Sequence, residues 1–222
     1  MYTEMAYVLG IVILALGTAL MEKADFGMSM VVAPAYLVYL KVSQTLTWFT
    51  FGMAEYCFQA LLLVTLALVL RRFHRMYLFS FVTAVIYGVT LDLVMAATSW
   101  LPTEGMGNRV WLFLLGMVLC SKGVSLLFHT YIAPEAYELF VKEVAARYGY
   151  DIHKTKTVYD CCSCLMAIAI SFAFFGLGHF EGVKAGTIVC ALVNGYIIGC
   201  FSKVFEKKLE FVDGTGLRKY FE

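Results

Sequence analysis

Residues 5–21 read MAYVLGIVILALGTALM, and residues 110–130 read VWLFLLGMVLCSKGVSLLFHT. Each stretch is apolar and long enough to cross the roughly 30 Å hydrocarbon core of a bilayer as a helix. Each also contains two glycines separated by six residues: Gly10 and Gly17 in the first stretch, Gly116 and Gly123 in the second. The shared spacing predicts that the chain contains the same membrane unit twice.

The similarity between the two stretches continues along the chain. Three further matches follow in order: residues 33–36 (APAY) with 133–137 (APEAY), 55–57 with 160–162, and 83–88 with 190–195. The glycines and the last two matches lie 105 to 107 residues apart. A repeated unit with an odd number of spans must insert in opposite orientations, which is the construction of many secondary transporters.

The composition is that of a membrane protein. Hydrophobic residues make up 61% of the 222 residues and charged residues 15%, and the mean hydropathy is +0.79. Soluble domains are about half apolar and a quarter charged. The net charge of +1 gives no electrostatic basis for binding nucleic acid. Because no basic segment precedes the first span and no Ala-x-Ala site follows it, we expect that span to remain uncleaved.

Six segments are predicted to span the membrane: residues 5–21, 48–70, 77–100, 110–130, 157–176 and 185–205. The predicted fold class is all-α, a polytopic membrane protein whose six transmembrane helices form two inverted-topology repeats of three. We expect one integral membrane domain over residues 1–222, with repeats at approximately 1–100 and 108–205 and a cytoplasmic tail at 206–222.

A helical connector, re-entrant or interfacial, is expected in each repeat. The first, at residues 28–40, is apolar, too short to span and contains Pro34, so we expect it to lie deep. The second begins at Pro134 and is closed by Gly149. Its predicted apolar stripe is Tyr137, Phe140, Val141, Val144 and Tyr148, and its predicted outward face is Glu138, Lys142, Glu143 and Arg147. This pattern predicts a helix lying on the cytoplasmic surface.

Lysine and arginine are distributed unevenly between the loops. With both termini cytoplasmic, twelve of them lie inside and four outside, while Lys122 falls within a span. The positive-inside rule therefore predicts cytoplasmic N- and C-termini for a multi-pass protein of the cell (inner or plasma) membrane.

Ionisable side chains at the bilayer centre cost at least about 2.5–3.5 kcal/mol, so each one needs a physical reason. At ~1.5 Å per helical residue, Glu55, Asp92 and Lys122 are predicted to lie roughly 10, 12 and 18 Å from the outer boundary. We predict that they line a polar cavity together with Tyr87 and Asn194, which occupy matched positions deep in the third and sixth spans. The alternative is a structural pair between Lys122 and a carboxylate.

The start of the fifth span carries Asp160 and a C-x-x-C pattern formed by Cys161 and Cys164, with Cys162 between them. We expect Asp160 to cap the start of its helix. The cysteine spacing suits redox or metal chemistry, but no second Cys or His pair accompanies it, so packing is the preferred interpretation. No cofactor, bound metal or enzymatic activity is predicted, and a redox or metal role of the three cysteines remains the alternative.

Small residues recur every four positions in the last span, at Ala191, Gly195 and Gly199. Such a face lets two helices approach closely. We expect it to pack against the third span or against a second copy of the chain, and homodimerisation through the last transmembrane helix is therefore a predicted interaction.

Two glycine-containing motifs resemble those of a known family. Residues 17–20 (GTAL), followed by 24–29 (ADFGMS), are similar to the first-span signature of the YitT/YczE-like small bacterial membrane proteins. Residues 182–187 (GVKAGT) resemble that family's Gly-Val-Gly-x-Gly-Thr segment, with Lys184 in place of a glycine. The resemblance implies a bacterial integral membrane protein and carries over no catalytic residues.

The leading hypothesis is a small-solute transporter or permease. Its site is predicted between the inverted repeats, lined by Glu55, Asp92, Lys122, Tyr87 and Asn194. The acidic lining favours a small polar or cationic solute, and the lipid bilayer is the other expected partner. The alternatives are a solute-binding membrane subunit of a larger transport complex, a non-transporting assembly or regulatory protein, and a redox protein acting at the cysteines.

Overall fold

The computed structural model describes residues 1–27, 29–73, 75–150, 152–178 and 183–214, with Arg75 and His153 described by their backbone only. Met28 and Gly182 of the family motifs, and residues 215–222 of the predicted tail, lie outside this part of the chain. The described residues form eight α-helices and no strand. The prediction of an all-α fold is confirmed.

The helices in chain order are α1 Thr3–Ala24, α2 Ala33–Val42, α3 Phe51–Leu70, α4 Arg75–Ala97, α5 Met106–Phe128, α6 Ala136–Tyr148, α7 Ile152–Phe175 and α8 Ala185–Lys208. Six of these helices, all except α2 and α6, are long and apolar enough to cross a membrane. Each corresponds to one predicted span, although α7 begins five residues earlier and α8 ends three residues later than predicted. The order long, short, long, long thus occurs twice.

Helices α1 and α5 make the most extensive helix contact, and the four motif glycines lie in it. Gly17 faces Gly116 so closely that a Cβ atom on either would lie 2.7 Å from the other's carbonyl oxygen. Gly10 faces Gly123, where an added Cβ would lie 3.3 or 2.9 Å from the facing carbonyl oxygen. Because the pairs run in opposite sequence directions, α1 and α5 are antiparallel. The missing side chains permit this close approach.

Helices α1–α4 form the first half of the molecule and α5–α8 the second, and each short helix contacts both halves. Both α2 and α6 pack against α3 of the first half and against α7 of the second. Two pairs of long helices also correspond between the halves: α1 packs against α4, and α5 packs against α8. These pairings are the ones that a duplicated unit of four helices would make, and the duplication itself stays a prediction.

The two ends of the described chain meet on one side of the bundle. The backbone N–H of Thr3 donates to the carbonyl oxygen of Val212, and the N–H of Val212 donates to the carbonyl oxygen of Met1, both at 3.1 Å. The N-terminal amine also donates to the carbonyl oxygen of Glu210. An even number of spans requires this arrangement, whichever side of the membrane it faces.

Apolar side chains cover the outside of the bundle as well as its core, and several polar side chains are buried. Leucines such as Leu68, Leu93, Leu165 and Leu192 are at least 67% exposed on the outside of the bundle. The fully buried side chains include Glu55, Gln59, Ser80, Ser121 and Ser171. A soluble monomer rarely exposes so much contiguous apolar surface, so the distribution supports an integral membrane protein.

One face of α6 differs from the prediction. Lys142 and Arg147 are exposed as expected, but Glu138 is only 3% exposed and Tyr148 is 54% exposed. The prediction that Glu138 faces away from the protein is therefore wrong. The physical reason is that α6 packs between α3 and α7, where a buried lysine of α7 gives Glu138 a charged partner.

Candidate functional site

A small internal cavity lies where the two halves meet. Its volume is about 20 Å³, which is room for roughly one water molecule. Side chains from α1, α4, α5, α6, α7 and α8 line it, together with residues that precede α2 and α6. Its polar lining consists of Thr18, Ser29, Tyr87, Cys120, Glu135, Tyr137, Glu138, Lys156 and Asn194, all of them buried.

The crossing of α1 and α5 forms one wall of the cavity. Cys120 lies between Gly116 and Gly123, and Thr18 directly follows Gly17, with its hydroxyl 2.9 Å from the Tyr87 hydroxyl of α4. The Cys120 thiol donates weakly to the carbonyl oxygen of Leu14, at 3.8 Å. The glycine motif therefore brings polar side chains of both halves together at this wall.

The segment before α6 is fixed by hydroxyl groups of α4. Ser80 donates to the carbonyl oxygen of Pro134 at 2.7 Å, and Thr83 donates to that of Ala133 at 2.9 Å. Irregular backbone at membrane depth requires such partners because no bulk water is available. These contacts hold Glu135 in the interior, as the residue immediately before α6.

Gln59 of α3 joins two buried carboxyl groups. Its Nε2 is 3.4 Å from Oε2 of Glu55 and 3.1 Å from Oε2 of Glu135, while its Oε1 accepts from the N–H of Ala136 at 3.0 Å. Only this amide orientation serves all three neighbours. Tyr137 also donates to Oε2 of Glu55, at 2.9 Å. The second oxygens of Glu55 and Glu135 have no hydrogen-bond partner among the described residues.

A buried lysine holds the other side of α6. Lys156 of α7 donates to Oδ1 of Asp160 at 2.8 Å, and its amine lies 3.8 Å from Oε1 of Glu138. Asp160 lies eight residues into α7 and pairs with Lys156. The prediction that Asp160 caps the start of its helix is therefore wrong. With Glu55 and Glu135, the described cluster holds four carboxyl groups and one amine.

Burial determines the protonation of the residues around the start of α6. It raises the pKa of Glu135 well above the usual carboxyl range, and the charges of Glu138 and Glu55 raise it further. Burial also raises the pKa of Glu138, although Lys156 opposes this. The pKa of Tyr137 is raised by burial and by Glu55, so its phenol acts as a neutral donor.

Three of the five predicted site residues lie in or beside the cavity. Tyr87 and Asn194 line it, and the amide oxygen of Asn194 accepts from the hydroxyl of Ser121. Glu55 is joined to the lining through its hydrogen bond with Tyr137. Whether these residues bind a solute stays a prediction.

The other two predicted site residues lie elsewhere. Asp92 accepts from the hydroxyl of Thr50 at 2.7 Å and from the N–H of Gly52 at 2.9 Å, at the N-terminus of α3. Lys122 is half-buried on α5 and does not line the cavity. No ion pair joins Lys122 to a carboxylate within the described residues, so the structural pair considered as an alternative is not observed there.

Sequence reasoning did not place Glu135, Glu138 or Lys156 in the site, and it interpreted Asp160 as a helix cap. Glu135 sits inside the otherwise apolar APEAY signature, where the first repeat has no acidic residue. Lys156 and Asp160 are four residues apart at the start of an apolar helix, which is the spacing of a helical ion pair. Both signals could have indicated an interior position.

A larger groove lies on the outside of the bundle, between α3 and α4. Its volume is about 580 Å³, and its walls are mostly apolar, with Arg71 and Arg72 at one end. Since this face exposes leucines such as Leu68, we attribute the groove to lipid contact. The smaller cavity is the one that combines enclosure with buried charge.

The cysteines are unpaired, and those of the C-x-x-C pattern have unequal environments. Cys161 and Cys162 are exposed, whereas Cys164 is buried. Among the described residues, no group of three or more His, Cys, Asp and Glu side chains could hold a metal ion. A redox role stays an untested alternative.

The fold and the buried charges together define a polytopic α-helical integral membrane protein. The chain belongs to the DUF6198 family, described as a family of unknown function, whose model matches residues 1–203. The match covers α1 to α7 and most of α8. No curated protein and no solved structure matches the chain. The resemblance to YitT/YczE-like proteins stays a prediction.

Proposed function

We propose that this protein is a permease for a small cation or amine, and that the internal cavity is its binding site. The observation that supports this is a buried cavity, lined from both halves of the bundle, with an excess of carboxyl groups around it. Ionisable groups inside a membrane bundle commonly mark ion and substrate pathways.

The chemistry of the lining favours a positively charged solute. Lys156 offsets one carboxylate of the four, and Oε1 of Glu135, a cavity-lining residue, has no partner among the described residues. Neutral oxygens of Ser29, Tyr87 and Asn194 could complete the coordination of a cation. The volume of about 20 Å³ suits a monatomic cation or ammonium, and a larger amine would require the halves to separate.

The packing of the halves supports alternating access. The α1–α5 crossing lies between the halves and could serve as the axis about which they rock. Helices α2 and α6 each contact both halves, so each could act as a gate. The distribution of Lys and Arg favours cytoplasmic termini in a cell membrane, with α6 on the cytoplasmic side.

The test is cation uptake into proteoliposomes that contain the purified protein. We expect uptake of radiolabelled methylammonium or sodium, loss of uptake in Glu135→Gln, and unchanged uptake in the control Glu143→Gln. Glu143 lies on the same helix but on its partly exposed side. Equal uptake by wild type and Glu135→Gln would contradict the proposed site. Uptake of neutral or anionic solutes without any cation would contradict the proposed substrate class.

A second candidate is a solute-binding membrane subunit of a larger transport complex. The outer face of α6 exposes Lys142, Ala146 and Arg147, which a partner protein could contact. Cation binding by the purified protein without uptake into proteoliposomes would favour this function. A non-transporting assembly or regulatory role predicts neither binding nor uptake.

We also propose that two copies pair through α8. Among the described residues, an added Cβ at Gly195 would meet only the Thr157 hydroxyl, at 3.9 Å, so the small-residue face has room for a neighbouring helix at Gly195, although Ala191 is buried. Helix α8 contacts α5 and α7 but not the third span, α4. Disulfide cross-linking through the exposed Cys200, in a variant without other cysteines, should give a covalent dimer. A monomer under these conditions would contradict this pairing.

A further inference from the structure

The buried cluster cannot be fully ionised without a large excess of negative charge. Lys156 is the only described amine among Glu55, Glu135, Glu138 and Asp160, and its closest contact is with Asp160. Ionisation of all four carboxyl groups would leave three uncompensated negative charges in the interior. Burial and like charges both oppose this state, so protons must occupy part of the cluster when no cation is bound.

The geometry indicates where one such proton resides. Gln59 donates to one oxygen of Glu55 and to one oxygen of Glu135, so a single amide links the two carboxyl groups. The remaining oxygen of each has no partner among the described residues. Two carboxylates that share one site do not both ionise readily.

We propose that Glu55, Gln59 and Glu135 together hold an exchangeable proton, which leaves when a cation enters the cavity, so that the permease exchanges its cation for a proton. This inference rests on the proposed cation site. In the step, the O–H bond of one neutral carboxylic acid breaks, the proton leaves to solvent, and the resulting carboxylate balances the charge of the bound cation. The Lys156–Asp160 pair is unchanged.

Charged and titratable groups reach Glu135 from every neighbouring helix. They are Tyr137 and Glu138 of α6, Glu55 of α3, Lys156 of α7, Tyr7 of α1, Tyr87 of α4 and Cys120 of α5. Lys156 is the one cation in this described set. Burial and the two neighbouring glutamates raise the pKa of Glu135, which favours its neutral form when the cavity holds no cation.

Exchange has a quantitative consequence for binding. Because linkage is reciprocal, a cation that displaces one proton must bind more weakly as the pH falls. Below the pKa of the linked pair, the cation concentration for half-maximal binding should rise by about tenfold per pH unit. A cation that binds without displacing a proton would show no such dependence.

The experiment measures proton release when methylammonium chloride or sodium chloride binds to the purified, full-length protein in weakly buffered detergent solution. A pH-indicator dye reports the released protons, and thermal stabilisation reports binding in the same samples. We expect about one proton per bound cation near neutral pH. The infrared carbonyl band of a neutral carboxylic acid should decrease at the same time.

Two variants and one control complete the test. Glu55→Gln should still bind the cation with reduced proton release, because one of the two like charges that oppose the ionisation of Glu135 is then removed and Glu138 alone remains. Glu135→Gln should lose cation binding, and Glu143→Gln should release protons as wild type does. Cation binding without proton release, or full release in Glu55→Gln, would overturn the exchange while the cation site stands. Failure of every cation to bind would overturn both proposals.

Discussion

The two halves of this molecule share a frame but differ in their connectors. Residues 33–36 and 133–137 carry the same signature, and α2 and α6 both pack against α3 and α7. Ala35 of the first signature is fully buried and apolar, whereas the corresponding region of the second presents Glu135. The difference shows that only the second connector contributes acidic side chains to the buried polar cluster.

The surroundings of the two connectors differ in the same way. On one side, Tyr36 of α2 packs edge-on against Phe51 of α3, with ring centroids 5.3 Å apart. On the other side, α6 lies between the carboxyl–amide pair Glu55 and Gln59 of α3 and the ion pair of α7. The surroundings of α2 are therefore aromatic, whereas those of α6 are charged and polar.

The largest effect is expected from removing the positive charge of Lys156, which lies beside Glu138 of α6 and Asp160 of α7. Lys156→Met should lower the free energy of unfolding by about 3–5 kcal/mol, because breaking a buried ion pair leaves its partner uncompensated. Chemical unfolding in detergent micelles at neutral pH measures this change. Part of the loss should be recovered on adding Asp160→Asn, since the double variant no longer buries that unpaired carboxylate.

The matched control lies on the other connector. Lys41 at the end of α2 is exposed, and its amine reaches the carbonyl oxygen of Phe174 at 3.3 Å. Lys41→Met should cost less than about 1 kcal/mol, as exposed charged contacts usually do. Equal costs for Lys41→Met and Lys156→Met would remove the distinction between the two connectors.

Local sequence properties were enough to predict the helices. Which side chains meet in the candidate site depends on packing between helices that are distant in sequence. Span length and hydropathy act within one segment, so the six long helices and both connectors could be predicted. Counting residues gave Glu55 and Asp92 similar depths, but depth does not state which neighbour a side chain meets. Asp92 meets the start of α3. A charged residue usually lies on the exposed face of a helix, so the pattern of α6 alone predicts that Glu138 is exposed. Its partner Lys156 lies on another helix, α7, and the local pattern does not reveal it.

A smaller effect is expected at the feature that the halves have in common. Gly17→Ala and Gly116→Ala should each lower the free energy of unfolding by about 1–3 kcal/mol, as overpacking usually does. The added methyl group would lie 2.7 Å from backbone oxygen in either case, so the helices must move apart. Thermal unfolding of both variants measures the effect, and the two losses should be similar.

Gly107 provides a control at the start of α5. An added Cβ there has no neighbour within 4 Å among the described residues. Gly107→Ala should be neutral or slightly stabilising, since alanine has the higher helix propensity. A cost at Gly107 as large as that at Gly116 would show that the α1–α5 contact does not determine these effects.

The smallest effect is expected at Asp92, which the sequence placed in the solute site. Asp92→Asn keeps one acceptor oxygen for the N–H of Gly52, whereas its amide nitrogen cannot accept from the Thr50 hydroxyl. It also loses the favourable interaction with the helix dipole at the N-terminus of α3. The cost should be about 0.3–1 kcal/mol, and cation stabilisation and uptake should match wild type. Loss of cation binding in Asp92→Asn with normal folding would extend the site to the N-terminal end of α3. The charged function would then no longer be confined to the second connector and its partners.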